Sequence, residues 1–298
     1  MNNIKVAIIG LDTSHSIQFA KRMQDPNCES EQKVEGLKAI SCMAFVTPFQ
    51  DEKGIKERTE QLEKIGITVT NSFKETINGA EAIMIEINDG ALHLEYFEKC
   101  AQLNVPIFLD KPLADNIENG IKIYEIIKKY NVKVFSASSL RFVKEIQEAV
   151  DTVKSPEKAN VFGPLGIAPA GESVVWYGVH TFEMLQRLLG KGATSIKAYQ
   201  DKEGVIAIVK YDDKRRGIVE LNEGAWVYGG SLRNSQERNS FSINMDMAYK
   251  GELEEISKFF HGGKEPVNFL DTLEVMNMLD TTVKSLKSGK EENLKEII

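Results

Sequence analysis

The strongest constraint in this sequence is a regular alternation of short apolar runs and amphipathic segments through its first half. The runs at 5–9, 82–87 and 106–109 are too short for helices, and the first is rich in β-branched residues. Such runs are typical of strands buried on both faces. Segments with helical spacing lie between them, and strands separated by helices pair in parallel through right-handed crossovers. The sequence therefore predicts α/β architecture with a Rossmann-type doubly wound parallel sheet.

The second half follows a different pattern. The predicted strands at 194–199, 205–211 and 217–222 are separated by polar and glycine turns, not by helices. This spacing favours an α+β domain with a mostly antiparallel sheet. The chain has 298 residues, which suits two domains at roughly 150 residues each. We expect a Rossmann-type dinucleotide-binding domain at 1–137 and an α+β substrate and oligomerisation domain at 138–298.

Composition excludes several functional classes. The chain carries 37 basic and 44 acidic residues, a formal net charge of −7, and a negative protein repels the phosphates of nucleic acid. No apolar run approaches the roughly 20 residues that a membrane span needs. The three cysteines, Cys28, Cys42 and Cys100, lack metal-type spacing. Because no secretion signal is recognisable, we expect reduced thiols in a cytoplasmic protein.

The first strand–turn–helix joint is the predicted floor of a ligand crevice, because that crevice lies at the carboxyl ends of the parallel strands. A dinucleotide site would show Gly-x-Gly-x-x-Gly here. This chain retains Gly10, whereas Asp12 and His15 stand at the second and third glycine positions. Thr13, Ser14 and the helix N-terminus can still hold an anion. The alternative is a tight turn in which Asp12 or Ser14 caps the helix.

The end of the second strand gives no cofactor preference. An NAD site would have an acidic residue there for the ribose hydroxyls. The strand instead runs into Thr47 and Pro48, and Asp51 follows four residues after Thr47. NAD and NADP therefore both remain open.

Two residues are candidates for proton and charge chemistry. Lys111 follows the strand at 106–109, so it lies at the crevice edge of the sheet. His180 lies in the first turn of a predicted helix, where the helix dipole disfavours imidazolium, and a neutral imidazole can act as a general base. The alternative is that His180 is a packed, hydrogen-bonded structural histidine.

Other polar residues near the predicted crevice have less specific interpretations. His93 follows the turn containing Asn88 and Asp89. It could join His15, His180 and an aspartate in a metal site, but no tight ligand spacing supports this and no metal is predicted. Arg141 follows the last strand of the first domain. It either reaches a polar substrate or pairs with a carboxylate in the domain interface.

Taken together, the motifs resemble the glucose–fructose oxidoreductase/inositol dehydrogenase/MocA (Gfo/Idh/MocA) family of NAD(P)-dependent sugar and cyclitol oxidoreductases. The resemblance extends over nearly the whole chain. It rests on four motifs in order and on a similar tail: the Gly10 turn, 83–89 followed by His93, the FLDKPLA run at 108–114, the GVHTFEML run at 178–185, and 259–267.

The resemblance implies roles for particular residues. Lys111 would contact the nicotinamide and the substrate hydroxyl, and His180 would take the hydroxyl proton. Arg141 would face the substrate, as would Trp176, which stands where the family has an aspartate. The expected cofactor is NAD or NADP, and the substrate is a small polyhydroxylated molecule. The residues expected to bind the cofactor are Gly10, Asp12, Thr13, Ser14, His15, Thr47, Asn88, His93, Asp110 and Lys111.

Departures from the family pattern keep two other functions open. Asp12, Thr47 and Trp176 favour a catalytically degenerate Rossmann-fold protein that binds a metabolite, and His15 is a further departure that weakens the case for activity. The run at 205–209 alternates poorly, which predicts burial on both faces and favours an assembly subunit. We accordingly expect a homo-oligomer. The leading hypothesis is an NAD(P)-dependent oxidoreductase acting on CH–OH groups.

Overall fold

The computed structural model describes residues 3–297 and divides into two units. The first comprises the chain up to Ala114 together with Lys122–Ala137 and Tyr249–Phe269. The second comprises Asp115–Ile121, Ser138–Ala248 and the chain from Leu270 onward. One change of unit falls between 137 and 138, where the sequence suggested a boundary. The expected second domain differs from the structure, however, because its segment Tyr249–Phe269 groups with the first unit.

A six-stranded parallel sheet forms the centre of the first unit. Its order is β3-β2-β1-β4-β5-β6, and every pairing is parallel. The predicted Rossmann-type sheet is confirmed. The order reverses between β1 and β4, and ligands of open α/β sheets bind at such a reversal. The strands are β1 Ile4–Ile9, β2 Leu37–Met43, β3 Thr68–Thr70, β4 Ala82–Ile85, β5 Ile107–Leu109 and β6 Val134–Phe135.

Helices alternate with these strands. Helix α1 is Ser14–Gln24, and it buries Ile17, Phe19 and Ala20. One core cluster joins this face to β1, β2 and α2 through Ile8, Cys42 and Leu62. The remaining helices before β6 are α2 Glu52–Lys64, α3 Phe73–Thr76, α4 His93–Ala101 and α5 Ile117–Tyr130.

The second unit contains a seven-stranded sheet of order β12-β11-β7-β10-β9-β8-β13. Among the described strands of this sheet only β7 and β10 pair in parallel, so the predicted mostly antiparallel sheet is confirmed. Its strands are β7 Lys158–Pro164, β8 Ala193–Asp201, β9 Gly204–Tyr211, β10 Arg216–Asn222, β11 Gly229–Arg233, β12 Arg238–Ser242 and β13 Glu292–Asn293.

Five further helices complete the chain. Helix α8 buries ten of its eleven residues, as expected of a helix packed on more than one side. None of the helices in residues 3–297 combines the length and the hydrophobicity that a membrane span requires. The helices are α6 Lys144–Thr152, α7 Ser173–Trp176, α8 Val179–Leu189, α9 Ala248–Phe260 and α10 Phe269–Ser288.

Two strand predictions need correction. Strand β2 ends at Met43 and does not run on to Thr47 as predicted; beyond its end, Phe45 stacks on Tyr96 with ring centroids 5.1 Å apart. Strand β9 alternates buried and less buried residues, and Ile206 is 44% exposed. The expected burial on both faces of β9 is therefore wrong for this chain by itself. The apolar residues that suggested it include Ile206, which lies on the exposed face.

Candidate functional site

Gly10 ends β1 in a conformation that other residues avoid. Its φ is +104°, and a Cβ added there would lie 2.4 Å from the backbone oxygen of Glu86. The backbones following β1 and β4 therefore approach too closely for any side chain. Gly10 is required by this contact between neighbouring strands.

The carboxylate of Asp12 is fully bonded within the protein. Its Oδ2 accepts a hydrogen bond from Thr47 Oγ1 at 2.8 Å, and its Oδ1 accepts one from the backbone N–H of Asn88 at 2.9 Å. These bonds join the segments that follow β1, β2 and β4. Three residues predicted for the cofactor are thus brought together, and the acidic charge is held by donors of the protein itself.

The environment of Asp12 shifts its acidity in opposing directions. Burial raises the pKa of Asp12 above the usual aspartate range, and the hydrogen bonds from Asn88 and Thr47 partly oppose this rise. Arg58, which the sequence analysis missed, donates from Nη1 to the Leu11 carbonyl at 2.9 Å. The guanidinium interacts electrostatically with Asp12. The loop therefore contains a buried carboxylate with a nearby positive charge.

The N-cap of α1 is Thr13, neither Asp12 nor Ser14. Thr13 Oγ1 accepts a hydrogen bond from the His15 backbone N–H. Ser14 is exposed and begins the helix, and no acidic residue occupies the first turn. With Asp12 already bonded elsewhere, the helix N-terminus retains the partial positive charge that attracts a phosphate group.

His15, Asp110 and Lys111 form a buried charged group at the ends of β1 and β5. His15 Nδ1 lies 2.9 Å and Lys111 Nζ lies 3.7 Å from Asp110 Oδ2. Burial alone would raise the pKa of Asp110, but His15 and Lys111 lower it below its usual range. Burial lowers the pKa of His15, although Asp110 opposes that shift. The peptide bond between Lys111 and Pro112 is cis.

Glu86 is a buried acid that the sequence analysis missed. It follows β4 directly and is fully buried. Burial raises its pKa well above the usual glutamate range, and the charges of Asp110 and Glu252 raise it further. Ligand atoms of His15, Glu86 and Asp110 all lie within 4.8 Å of one another. The sequence signal was a single acid interrupting an otherwise apolar run.

His93 has a structural role in this arrangement. Its Nε2 lies 2.7 Å from the Ile87 carbonyl, and its Nδ1 lies 3.3 Å from the Leu113 carbonyl. The buried ring therefore links the segments that follow β4 and β5. Both nitrogens face backbone oxygens, so His93 does not join the other histidines in a metal site.

His180 occupies the first turn of α8, where the sequence predicted it. Its Nδ1 lies 2.7 Å from Ser138 Oγ, and that hydroxyl also accepts a hydrogen bond from the Leu140 backbone N–H at 3.3 Å. A serine oxygen can accept two hydrogen bonds. If Ser138 accepts from Nδ1–H, the neutral imidazole carries its lone pair on Nε2. Ser138 is thus an orienting residue that the sequence analysis missed.

Aromatic rings surround His180 within the second unit. Tyr177 lies edge-on to His180 at 5.3 Å between centroids, and it also contacts Trp176 and Trp226, each at 5.1 Å. Tyr228 lies 6.0 Å from the His180 ring. Trp226 is 63% exposed. We call Trp176, Tyr177, Trp226 and Tyr228 the aromatic group; its only sequence signal was the proximity of Trp176 and Tyr177 to His180.

Arg141 is engaged by acceptors on α8. Its Nη1 lies 2.7 Å from Glu183 Oε2, and its Nη2 donates to Gln186 Oε1 at 2.8 Å. Burial raises the pKa of Glu183, while Arg141 opposes the rise. Of the two interpretations of Arg141, pairing with a carboxylate describes these contacts, although the carboxylate belongs to the same unit.

The first part of the chain matches a model of a known protein family. A model of the Gfo/Idh/MocA group, described as an oxidoreductase family with an NAD-binding Rossmann fold, matches residues 4–138. No curated protein sequence matches this chain.

Solved structures share the fold over nearly the whole chain. An apo scyllo-inositol dehydrogenase from Lactobacillus casei is 13% identical with a TM-score of 0.81, and the match covers 98% of each chain. A myo-inositol dehydrogenase from Corynebacterium glutamicum is 13% identical with a TM-score of 0.79, covering 99% of this chain and 100% of that one. An oxidoreductase from Agrobacterium radiobacter, solved with NAD⁺, L-tartaric acid and magnesium, is 12% identical with a TM-score of 0.74 and 98% coverage of each chain.

Proposed function

Residues 4–138 belong to the oxidoreductase family with an NAD-binding Rossmann fold, and on that premise we propose that this protein is an NAD(P)-dependent oxidoreductase of CH–OH groups. Its substrate is a sugar or cyclitol, and Lys111 and His180 are its catalytic residues. The observation that carries the proposal is the ordered Gly10 turn, in which both carboxylate oxygens of Asp12 accept hydrogen bonds from within the protein. No observation favours the alternative of a binding protein without activity.

The N-terminus of α1 supports cofactor binding. A diphosphate would be held by the backbone around Thr13 and Ser14, because the first turn of α1 has no acidic residue to repel it. The bonds from Thr47 and Asn88 to Asp12 hold these loops in position. Asp110 contacts both His15 and Lys111 and so helps to hold Lys111 in place. A bound nicotinamide supplies the hydride chemistry, whereas the protein supplies orientation and electrostatics.

The chain's own residues would manage the proton. Lys111 is 4% exposed, and in a buried position its ammonium polarises a substrate oxygen more strongly than it would in water. His180 accepts the hydroxyl proton at Nε2 while Ser138 holds the Nδ1 side. Ser138 thereby orients His180 in a chain that has Trp176 where the family has an aspartate.

The aromatic group supports a ring-shaped substrate. Small-molecule sites are lined by aromatic side chains with a few polar groups that set orientation. Around His180 the chain places Trp176, Tyr177, Trp226 and Tyr228. The flat faces of a cyclitol or pyranose suit such rings, and the hydroxyl groups suit the histidine.

Cofactor binding gives the first test. We expect the purified chain to bind NAD or NADP with a dissociation constant below about 1 millimolar. Isothermal titration calorimetry with each nucleotide measures this. Absence of binding of both nucleotides at millimolar concentration would overturn the proposal.

Kinetics with a panel of cyclitols and hexoses give the second test. We expect Lys111→Met and His180→Asn each to lower kcat/KM by about 10²- to 10⁴-fold. We expect the double variant to lose less kcat/KM than the product of the two single losses, because the effects of residues that serve one reaction step are not additive. Ser138→Ala lowers kcat by a smaller factor and shifts its pH profile, and Ser139→Ala is the neighbouring control. Nitrogen NMR of His180 separates a tautomer change from a loss of folding.

A further inference from the structure

A group of buried polar side chains lies next to the proposed cofactor loop. His15 is in the first turn of α1, Glu86 directly follows β4, and Asp110 directly follows β5. Strands β1, β4 and β5 are parallel neighbours, so their carboxyl ends meet at one edge of the sheet. The backbone N–H of Glu86 donates to Ile9 and that of Asp110 to Ile85, at 2.8 and 2.9 Å. The ladder therefore positions both carboxylates.

These three side chains converge, and although His15 and Asp110 pair with each other, Glu86 has no such partner in the part of the chain that the structure describes. Their ligand atoms lie within 4.8 Å, and the side chains are 6%, 0% and 0% exposed for His15, Glu86 and Asp110. Within residues 3–297, neither Glu86 oxygen has a hydrogen-bond partner. Leaving buried polar atoms unpaired is costly. Asp12, at the same edge of the sheet, shows the contrast, since both of its oxygens are bonded.

The charges in this group are also unbalanced. Lys111 Nζ, 3.7 Å from Asp110 Oδ2, supplies one positive charge beside the carboxylates of Glu86 and Asp110. Buried Glu252 adds a third carboxyl group that interacts with Glu86. A cation at the centre satisfies the imidazole nitrogen and both carboxylates together.

We propose that His15, Glu86 and Asp110 bind a divalent metal ion, with Zn²⁺ or Mn²⁺ as the chemical class. A site with one imidazole nitrogen and two carboxylates suits Zn²⁺ or Mn²⁺ better than Mg²⁺, because Mg²⁺ prefers a shell made only of oxygens. Ligands bound at about 2.0–2.2 Å lie roughly 3–4 Å apart around a shared ion. The observed spacing needs only small side-chain movements to reach this. The inference goes beyond the proposed function and does not depend on it.

A metal held this way would act as a structural clamp. It would link the ends of β1, β4 and β5 below the nucleotide loop. Because the ion binds the folded chain and not the unfolded one, it raises stability with concentration. Its ligands come from three separate segments, which is why metal-type spacing is absent from the sequence.

The test uses the full chain after dialysis against a chelator. Zn²⁺ and Mn²⁺ are titrated by calorimetry, Mg²⁺ serves as the comparison, and the metal content of the untreated protein is measured by mass spectrometry. We expect one Zn²⁺ or Mn²⁺ per chain and a melting temperature that rises with metal. Glu86→Gln should lower the affinity at least 10-fold, whereas Asp12→Asn, which changes a satisfied carboxylate, should leave it within about 2-fold.

NMR of the unmodified protein keeps the test independent of variant folding. The chain has four histidines, and we expect metal to shift the ring signals of His15 and not those of His93, His180 and His261. Wild-type protein that binds neither metal, or binding that Glu86→Gln leaves unchanged, would overturn the proposal. The three side chains would then share a proton or a water molecule, or the metal would be on the surface.

Discussion

At the scale of single residues, the loop after β1 shows how a departure from a motif can be compensated. Asp12 and His15 stand where glycines were expected, and each has a defined partner: Thr47 and Asn88 for Asp12, and Asp110 for His15. The identity of the residues was visible in the sequence. Their partners were not, because these come from strand ends that are far apart along the chain.

Gly10 provides a stability prediction. Gly10→Ala forces a Cβ to within 2.4 Å of the Glu86 oxygen at a φ of +104°, so we expect it to lower the free energy of unfolding by about 3 kcal/mol or more. Gly79→Ala is the matched control, because Gly79 has a φ of +77° and no atom within 4 Å of the added Cβ. It should cost about 1–2 kcal/mol. Urea unfolding measures both, and equal losses would contradict the close-contact explanation.

Asp12 provides a pH prediction. Burial raises its pKa in the folded state, so the folded chain holds that proton more tightly than the unfolded chain does. The contribution of Asp12 to stability is therefore complete below the usual aspartate pKa of about 3.9 and is lost as pH rises through the folded-state value. Wild type should lose stability relative to Asp12→Asn over this interval.

Urea unfolding at a series of pH values measures the difference between wild type and Asp12→Asn. Asp212→Asn, in an exposed turn, accounts for the general effect of removing one negative charge. A difference that grows in favour of wild type as pH rises would contradict the direction of this shift.

At the scale of elements, α8 and β7 show that local sequence patterns indicate whether a segment forms a helix or a strand but not which elements it packs against. Its apolar periodicity predicted a helix, and Gly190, at φ +72°, ends it. Strand β7 was missed because Lys158 and Asn160 are polar and Gly163 and Pro164 usually mark loops. It nevertheless lies between β11 and β10. Pairing on both sides outweighs weak strand propensity.

The contact between α8 and Arg141 makes an element-scale prediction. Arg141→Met leaves the carboxylate of Glu183 buried without its partner, so we expect a loss of about 3–5 kcal/mol in unfolding free energy. The double variant Arg141→Met/Glu183→Met should recover much of this loss, as urea unfolding will show. Additive losses would contradict a coupled pair. A raised KM for Arg141→Met with unchanged stability would instead support contact with substrate.

At the scale of the whole molecule, the sequence predicted both sheets and their classes. It did not predict that Tyr249–Phe269 belongs to the first unit. Within that unit Tyr249 lies edge-on to His15 at 5.1 Å, and Phe259 packs on Phe135 at 5.2 Å. Helical periodicity identifies which face of a segment is apolar. It does not identify which core that face covers.

Thiol reactivity tests the burial of the cysteines in the core of the first unit. Cys42 and Cys100 are fully buried, whereas Cys28 is half-buried. Burial raises the pKa of Cys100 to about 12 and also raises that of Cys42, so neither forms the reactive thiolate near neutral pH. We expect Ellman's reagent to label one thiol rapidly in the native chain and three in urea. Rapid labelling of all three in the native state would contradict the buried core.

By itself the sequence determined the alternation of strands and helices in the first half of the chain, the two sheet classes and the positions of Lys111, His180 and the Gly10 turn. These properties depend on side-chain periodicity and turn chemistry, which act over a few residues. The tertiary structure alone decided that Ser138 holds His180, that Arg141 pairs with Glu183, and that Glu86 lies beside His15 and Asp110. Each of these contacts joins distant segments, so it depends on strand order and packing, which no local pattern encodes.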